Sequence, residues 1–439
     1  MPKIAIIGAG GVGFPQTLIQ DILSFESLRE GHFSLMDVDP ERMDVTYQWA
    51  QKLIAQENLP TTVSQTVDRA EALEDADYVI CVILAHGLEP FTNEIEIPAK
   101  YGITQPIGDT LCIGGIFRGL RTIPVLLDIC HDMEQYCPGA LMLNYTNPMT
   151  MLTWACSEGS EVPFIGLCHG VQGTAHEMAT LAGVDPDTVR YWTAGINHLA
   201  WFLEITDAEG EDLYPRLWEK IERDGPPEAD ALRWDLAKHV GYYMTESSGH
   251  LSEYIPYYRK RKDLQEQFDT PGHWAGTHGV MLESYRTHWG AHAERTFQQI
   301  RGEEPIAFGS RSGEYASRII NALETNELFR LNGNVMNYGG LIDNLPEGCC
   351  VEVPCLVDGS GIHPCVVGDL PPQCAAIDMM SVNVQTLTVE AALEGDRDKA
   401  FYACLVDPLA SAMLSPAEIK QMFDELFAAN RQWMPQFED

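Results

Sequence analysis

The chain has 439 residues, of which 64 are Asp or Glu and 28 are Lys or Arg, for a formal net charge of −36. That length exceeds one ordinary hydrophobic core, so two domains or one large elaborated domain are expected. So acidic a surface attracts neither nucleic acid nor an anionic membrane, and neither is expected as a partner.

The N-terminus reads as a strand over residues 3–7 that runs straight into Gly8-Ala9-Gly10-Gly11-Val12-Gly13. This is G-x-G-x-x-G at a strand-to-helix junction, with a helix-compatible stretch at residues 17–24 behind it. There Gly8 permits the tight turn, Gly10 lets the backbone approach a pyrophosphate, and Gly13 lets the helix lie close on the strand. The phosphates would meet a helix N-terminus. A second strand at residues 32–36 ends at Asp37, where a carboxylate accepts from the two ribose hydroxyls of NAD and repels a 2′-phosphate. The expected cofactor is NAD rather than NADP.

Residues 62–65 are a weak third strand, and the apolar run 78–84 is a fourth. Residues 123–130 read as helix, and 140–145 and 164–168 as further buried strands. Short β-rich runs separated by helical patterns predict an α/β fold with a Rossmann-like, doubly wound parallel sheet. Near residue 195 the pattern changes. Residues 201–206 alternate like a half-exposed strand, 213–223 and 230–246 read as helices, 345–372 as short antiparallel strands, and 382–427 as helical. The expected division is an NAD-binding domain at residues 1–195 and a mixed α/β domain at 196–439.

In open parallel sheets the ligand sits beyond the carboxyl ends of the strands. Three polar clusters fall there or close by: Asn144-Tyr145-Thr146-Asn147-Pro148, Cys168-His169-Gly170, and Asn197-His198. Cys168 and His198 converging on the cofactor crevice would make a metal site with open positions for substrate oxygens. By ligand softness that pair favours zinc or another softer metal over manganese. The alternative is a packed thiol and a hydrogen-bonded core histidine. Among the twelve cysteines, Cys349, Cys350, Cys355, Cys365 and Cys374 lack any C-x-x-C spacing and read as small apolar residues. No apolar run reaches about eighteen residues, and the sequence opens on a strand rather than a signal peptide. A reducing, cytoplasmic setting is expected.

Many segments resemble the NAD- and divalent-metal-dependent family 4 glycoside hydrolases. They include residues 4–14, Asp37-Val38-Asp39-Pro40, Gly108-Asp109-Thr110, Arg118 to Pro124, Asn144–Met149, and Gly166 to Thr174. Others are Gly195-Ile196-Asn197-His198, Thr245-Glu246-Ser247-Ser248, Glu253-Tyr254, Asn332-Gly333-Asn334 and Leu341 to Pro346. The likeness runs nearly end to end and is strongest to the α-galactosidase branch. It implies an overall architecture like lactate and malate dehydrogenases, and chemistry outside the two-carboxylate scheme of most glycosidases. In that chemistry NAD oxidises sugar C3, a base removes the C2 proton, the aglycone is eliminated, water adds at C1, and the hydride returns.

The resemblance further implies Mn2+, or another divalent metal, on Cys168 and His198, with Asn147 contacting the sugar. Asp109 matches an aspartate that raises the basicity of the base. His169 stands where the phosphoglycosidase branch carries a carboxylate acid. His250 stands in place of that branch's tyrosine base, and Tyr254 is the other candidate. A homodimer or homotetramer is implied as well. Arg118 and Arg121 are candidates for an anionic substrate group, although ion-pair or helix-surface roles suit them better. Related branches take α-glucosides, α-glucuronides, α-galacturonides or 6-phosphoglycosides. An NAD-dependent hydroxy-acid dehydrogenase and a non-catalytic NAD sensor are the competing classes.

Overall fold

Apolar, β-rich runs make the strands that carry the site. In the computed structural model, which describes residues 1–270 and 276–437, six of them pair in parallel. These are β1 (Lys3–Ile7), β2 (His32–Met36), β3 (Thr62–Thr66), β4 (Tyr78–Cys81), β5 (Leu141–Asn144) and β6 (Phe164–Gly166). Their order, β3-β2-β1-β4-β5-β6, is that of a doubly wound dinucleotide fold. β1, β4 and β5 are almost wholly buried, as expected of strands covered by helices on both faces.

The second half extends this sheet instead of building a separate one. β7 (Arg190–Ile196), β8 (Leu199–Thr206), β9 (Phe329–Met336), β10 (Cys350–Asp358) and β11 (Gly361–Pro364) add antiparallel neighbours. The join is one residue pair, Gly166 of β6 against Asn334 of β9. A Cβ on Gly166 would lie 2.5 Å from Met149 Sδ and 2.9 Å from the Asn334 Cβ, so the seam closes only over glycine.

The 25-residue helix Cys112–Tyr136 crosses the middle of the molecule with Ile113, Ile116, Phe117, Leu120 and Ile123 fully buried. It begins eleven residues earlier than the periodicity predicts; Gly114 and Gly115 have low helix propensity and hide that first turn from a sequence reading. Packing requires both: a Cβ on Gly115 would sit 2.4 Å from the Thr110 carbonyl carbon, and one on Gly114 2.7 Å from the Gly108 oxygen. The helix thus seats directly on the Gly108-Asp109-Thr110 turn. β4 stops at Cys81 rather than 84: Val82 N still donates to the Ile7 carbonyl at 2.9 Å, but Ile83 N turns to the Thr146 hydroxyl at 3.0 Å instead of a strand partner.

Gly8 has φ +99°, and a Cβ there would lie 2.6 Å from the Val82 carbonyl oxygen. Replacing Gly8 by Ala is expected to destabilise the fold by about 1–3 kcal/mol, seen as a lowered melting temperature without cofactor. An unchanged melting temperature would contradict this packing.

Candidate active site

Four segments converge beyond the carboxyl ends of the central strands. Cys168 follows β6, and His198 lies in the tight turn between β7 and β8 with φ +62°. Glu246, at φ +82°, lies in the stretch after the helix Ala231–Val240. That stretch is held to β8, where Thr245 N donates to the Ala200 carbonyl at 2.9 Å and its Oγ1 accepts from Ala200 N at 3.0 Å. The helix Ser248–Tyr254 follows, capped by Ser247, whose Oγ accepts from His250 N. It brings His250, Glu253 and Tyr254 inward, all buried. Glu253 accepts from Ile107 N at 2.6 Å and Gly108 N at 3.1 Å, which fixes the turn carrying Asp109 and Thr110.

The predicted ligands meet. Cys168 Sγ lies 3.1 Å from His198 Nε2, and both side chains are buried. His198 Nδ1 pairs with Thr110 Oγ1 at 3.2 Å, and a cation on Nε2 would leave the ring proton on Nδ1 to donate there. Thr110 in turn donates to Asp109 at 2.8 Å. The Tyr254 hydroxyl is also near Nδ1, at 3.4 Å. Such an outer carboxylate fixes a ligand histidine's tautomer and orientation.

His250 lies between two carboxylates, with Nε2 3.9 Å from Asp109 and Nδ1 3.8 Å from Glu246. Nδ1 is closer to Ser247 Oγ, at 2.9 Å, and the His250 ring is edge-on to His198 with centroids 4.5 Å apart. His169 is exposed at the mouth, with Nδ1 3.3 Å from Glu314. Asn147 is half-buried: its Oδ1 accepts from Met149 N at 3.2 Å, and its carbonyl accepts from Arg118 Nε at 3.3 Å.

Charges follow from these contacts. Burial, then the neighbouring His250, push His198 down to about 4, so its imidazole is neutral and able to ligate. Burial works to raise Glu246, but His198, His250, His169 and Arg233 outweigh it and hold the carboxylate at about 2. Burial, with Glu246 and Glu352 nearby, pushes the Cys168 thiol well up; a bound cation would reverse that. The Glu314 hydrogen bond raises His169 to about 9. Burial lifts Glu352, on β10 beside this cluster, to about 8.

On the cofactor side, Gly10 N donates to Asp37 Oδ2 at 2.8 Å. A Cβ on Gly10 would lie 2.8 Å from that same oxygen, so its bareness serves the Asp37 contact as well as any approaching phosphate. Gly13 caps the helix Phe14–Leu23 and faces His288 and His292 of the helix Val280–Arg301, rather than only the strand beneath.

The model of the family 4 glycosyl hydrolases matches residues 3–184, and that of their C-terminal domain matches residues 193–410. The chain belongs to glycoside hydrolase family 4. It is 41% identical to an α-galactosidase of Rhizobium meliloti, over 99% of this chain and 89% of that one. It is 40% identical to an α-galactosidase of Bacillus subtilis, over the whole of both. In fold it matches the 6-phospho-β-glucosidase of Thermotoga maritima solved with manganese, NAD+ and glucose-6-phosphate. The TM-score there is 0.80 at 23% identity, covering 98% of this chain and 99% of that one.

This family 4 glycosidase contains residues that sequence reading left without roles. Glu246 lies in one of the segments that resemble the family, but nothing in the sequence marks it as reaching Cys168, 78 positions earlier. Glu314 carried no signal at all. Arg121 is fully buried in an ion pair with Glu94, which occupies its guanidinium. Arg118 stacks over Phe91, with its guanidinium carbon 5.0 Å from the ring centre. Cys349, Cys350, Cys355 and Cys374 are buried free thiols, and Cys365 is half-buried.

Proposed function

We propose that this glycosidase hydrolyses α-galactosides using NAD and a divalent metal, Mn2+ being the expected ion. The observation that carries the reading is the meeting of Cys168, His198 and His250 in a chain that also carries the glycine-rich dinucleotide turn and is about 40% identical to two α-galactosidases over nearly its full length.

The residues fit both groups. In the dinucleotide turn a Cβ on Gly8 or Gly10 would have no room, and Asp37 closes the turn with a carboxylate suited to a ribose diol. The neutral imidazole and potential thiolate suit a divalent cation, and the nearby Glu246 carboxylate moves the donor set from soft towards the harder Mn2+. When bound, NAD would accept and return the hydride of sugar C3, and the metal would polarise the C2 and C3 oxygens.

The chain's own residues do the rest. Asn147 offers its amide to a sugar hydroxyl. His250 removes the proton at C2, which is acidic once C3 is a carbonyl, and Asp109 stabilises the resulting imidazolium. Tyr254 and Thr110 hold His198 from behind. His169 gives its proton to the departing glycosidic oxygen.

The last role has a pH signature. His169 is protonated below about 9 and loses its proton above that, so kcat is expected to fall on the alkaline side near that value. Glu314→Gln removes the partner that raises it and should move this limb down towards the ordinary histidine value of about 6.5. A limb unmoved in Glu314→Gln would exclude His169 as the acid.

The proposal includes a cytoplasmic setting and a homodimer or homotetramer. All twelve cysteines are free and eleven are buried, and Cys168 must stay reduced to ligate. Among the described residues no helix is long and apolar enough to cross a membrane. Sedimentation velocity tests the assembly.

The deciding experiment is cleavage of p-nitrophenyl α-galactoside under fresh reductant, with NAD+ and Mn2+ added separately and together. Release requiring both, with no net NADH, is the expected result. NADH accumulating without aglycone release would overturn it in favour of a dehydrogenase. Cleavage of an α-glucoside, uronide or phosphoglycoside instead would overturn the galactoside assignment alone.

A further inference from the structure

We infer that Glu246 is a third protein ligand of the metal, alongside Cys168 and His198. The inference rests on the metal-site reading above.

Cys168, His198 and Glu246 each present a ligand atom, and the three atoms lie within 4.8 Å of one another; they form the one such His, Cys, Asp or Glu group among the described residues. Ligands at about 2.0–2.3 Å and at right angles on one ion lie about 3 Å apart; Cys168 Sγ and His198 Nε2 already stand at 3.1 Å, and the Glu246 carboxylate, no more than 4.8 Å from either, closes on the ion by a side-chain movement of less than about 2 Å.

The surroundings are shaped to the carboxylate. A Cβ on Gly170, two residues after Cys168, would sit 2.9 Å from Glu246 Oε1, so this approach exists only because residue 170 is glycine. Glu246 holds a left-handed backbone at φ +82°, uncommon for a residue other than glycine, and its N–H donates to Thr174 Oγ1 at 3.4 Å. Thr245, clasped to β8, fixes the approach on the other side.

Serving His250 is a poorer account of this residue. Its carboxylate is 3.8 Å from His250 Nδ1, whereas Ser247 Oγ is 2.9 Å from that nitrogen and takes its hydrogen bond. Charge points the same way: one thiolate leaves a divalent ion with a net positive charge in a buried site, and a thiolate with a carboxylate neutralises it. Three ligands from one side also leave the positions that two vicinal sugar oxygens and a water would take on a six-coordinate ion.

The test is Mn2+ binding to the NAD-loaded protein without sugar, read by electron paramagnetic resonance, together with water-proton relaxation to count waters on the ion. Glu246→Ala is expected to weaken Mn2+ at least about tenfold and to add one coordinated water. Glu246→Gln, which keeps the packing, should weaken binding similarly and alter the d–d absorption of the Co2+ form. An unchanged affinity overturns the inference. So does a weaker affinity with unchanged hydration and Co2+ spectrum, since that is a charge effect at a distance. Cys168→Ser binding Mn2+ like the parent would instead overturn the metal-site reading beneath it.

Discussion

Replacing Cys168 by Ser is expected to remove metal-stimulated sugar cleavage, by about a thousandfold or more, while leaving NAD binding in place. A metal that polarises the substrate oxygens supplies several kcal/mol of transition-state stabilisation. At about 1.4 kcal/mol per decade that is on the order of three powers of ten. Without the thiolate the ion keeps the neutral His198 and the Glu246 carboxylate inferred above, and loses one of the two anionic donors that neutralise it in a buried site. NAD binding should survive for a structural reason. The glycine-rich turn and Asp37 belong to β1 and β2, whereas Cys168 follows β6, with β4 and β5 between. The measurement is aglycone release with and without Mn2+, beside a fluorescence titration of NADH. Full activity in the serine variant excludes Cys168 as a ligand. Loss of both properties would show that the substitution damages the fold.

The cofactor half was legible because its signals are local. Gly8, Gly10, Gly13 and Asp37 lie within one strand-turn-helix-strand unit, and spacing alone predicts where each will sit. The Cys168–His198 pair was legible by a weaker route: Cys168 ends a predicted strand of the parallel sheet, His198 stands just ahead of the next one, and the segments around both match the family. The strand β9 was not legible. Its sequence, Phe-Arg-Leu-Asn-Gly-Asn-Val-Met, carries two asparagines and a glycine at its centre. Those residues depress strand propensity, yet they are what the seam needs. Asn332 donates to the Thr193 carbonyl at 2.8 Å, and Asn334 to the Gly166 carbonyl at 3.3 Å, so side-chain amides stitch strands that share few backbone bonds. Glu246 escaped for a different reason. Its place depends on an irregular stretch with a left-handed residue, to which no periodicity applies.

The two candidate bases separate on geometry, and the separation predicts unequal losses. Tyr254 is buried, and its hydroxyl faces His198 Nδ1, on the side of that ring away from the Cys168 sulfur. In the proposed site it is therefore a positioning residue for His198 rather than the group that reaches the sugar. Tyr254→Phe should cost about 10–100-fold, the range for an outer partner of a metal ligand, and excess Mn2+ should recover part of it. His250 has Asp109 beside Nε2 and Ser247 on Nδ1, the arrangement of an oriented base with a carboxylate to stabilise its protonated form. His250→Asn should cost about 10²–10⁴-fold in kcat, with no recovery by metal. The sharper readout is isotopic. The parent enzyme should exchange deuterium at sugar C2 with solvent during turnover, and His250→Asn should suppress that exchange while still allowing hydride transfer from C3 to NAD+ in a single turnover. Exchange that persists in His250→Asn and stops in Tyr254→Phe would reverse the two roles. Where the hydroxyl points says it will not: proton abstraction needs an acceptor within about 3 Å of the proton's carbon frame, or one water away, and the Tyr254 oxygen is already behind the metal's histidine.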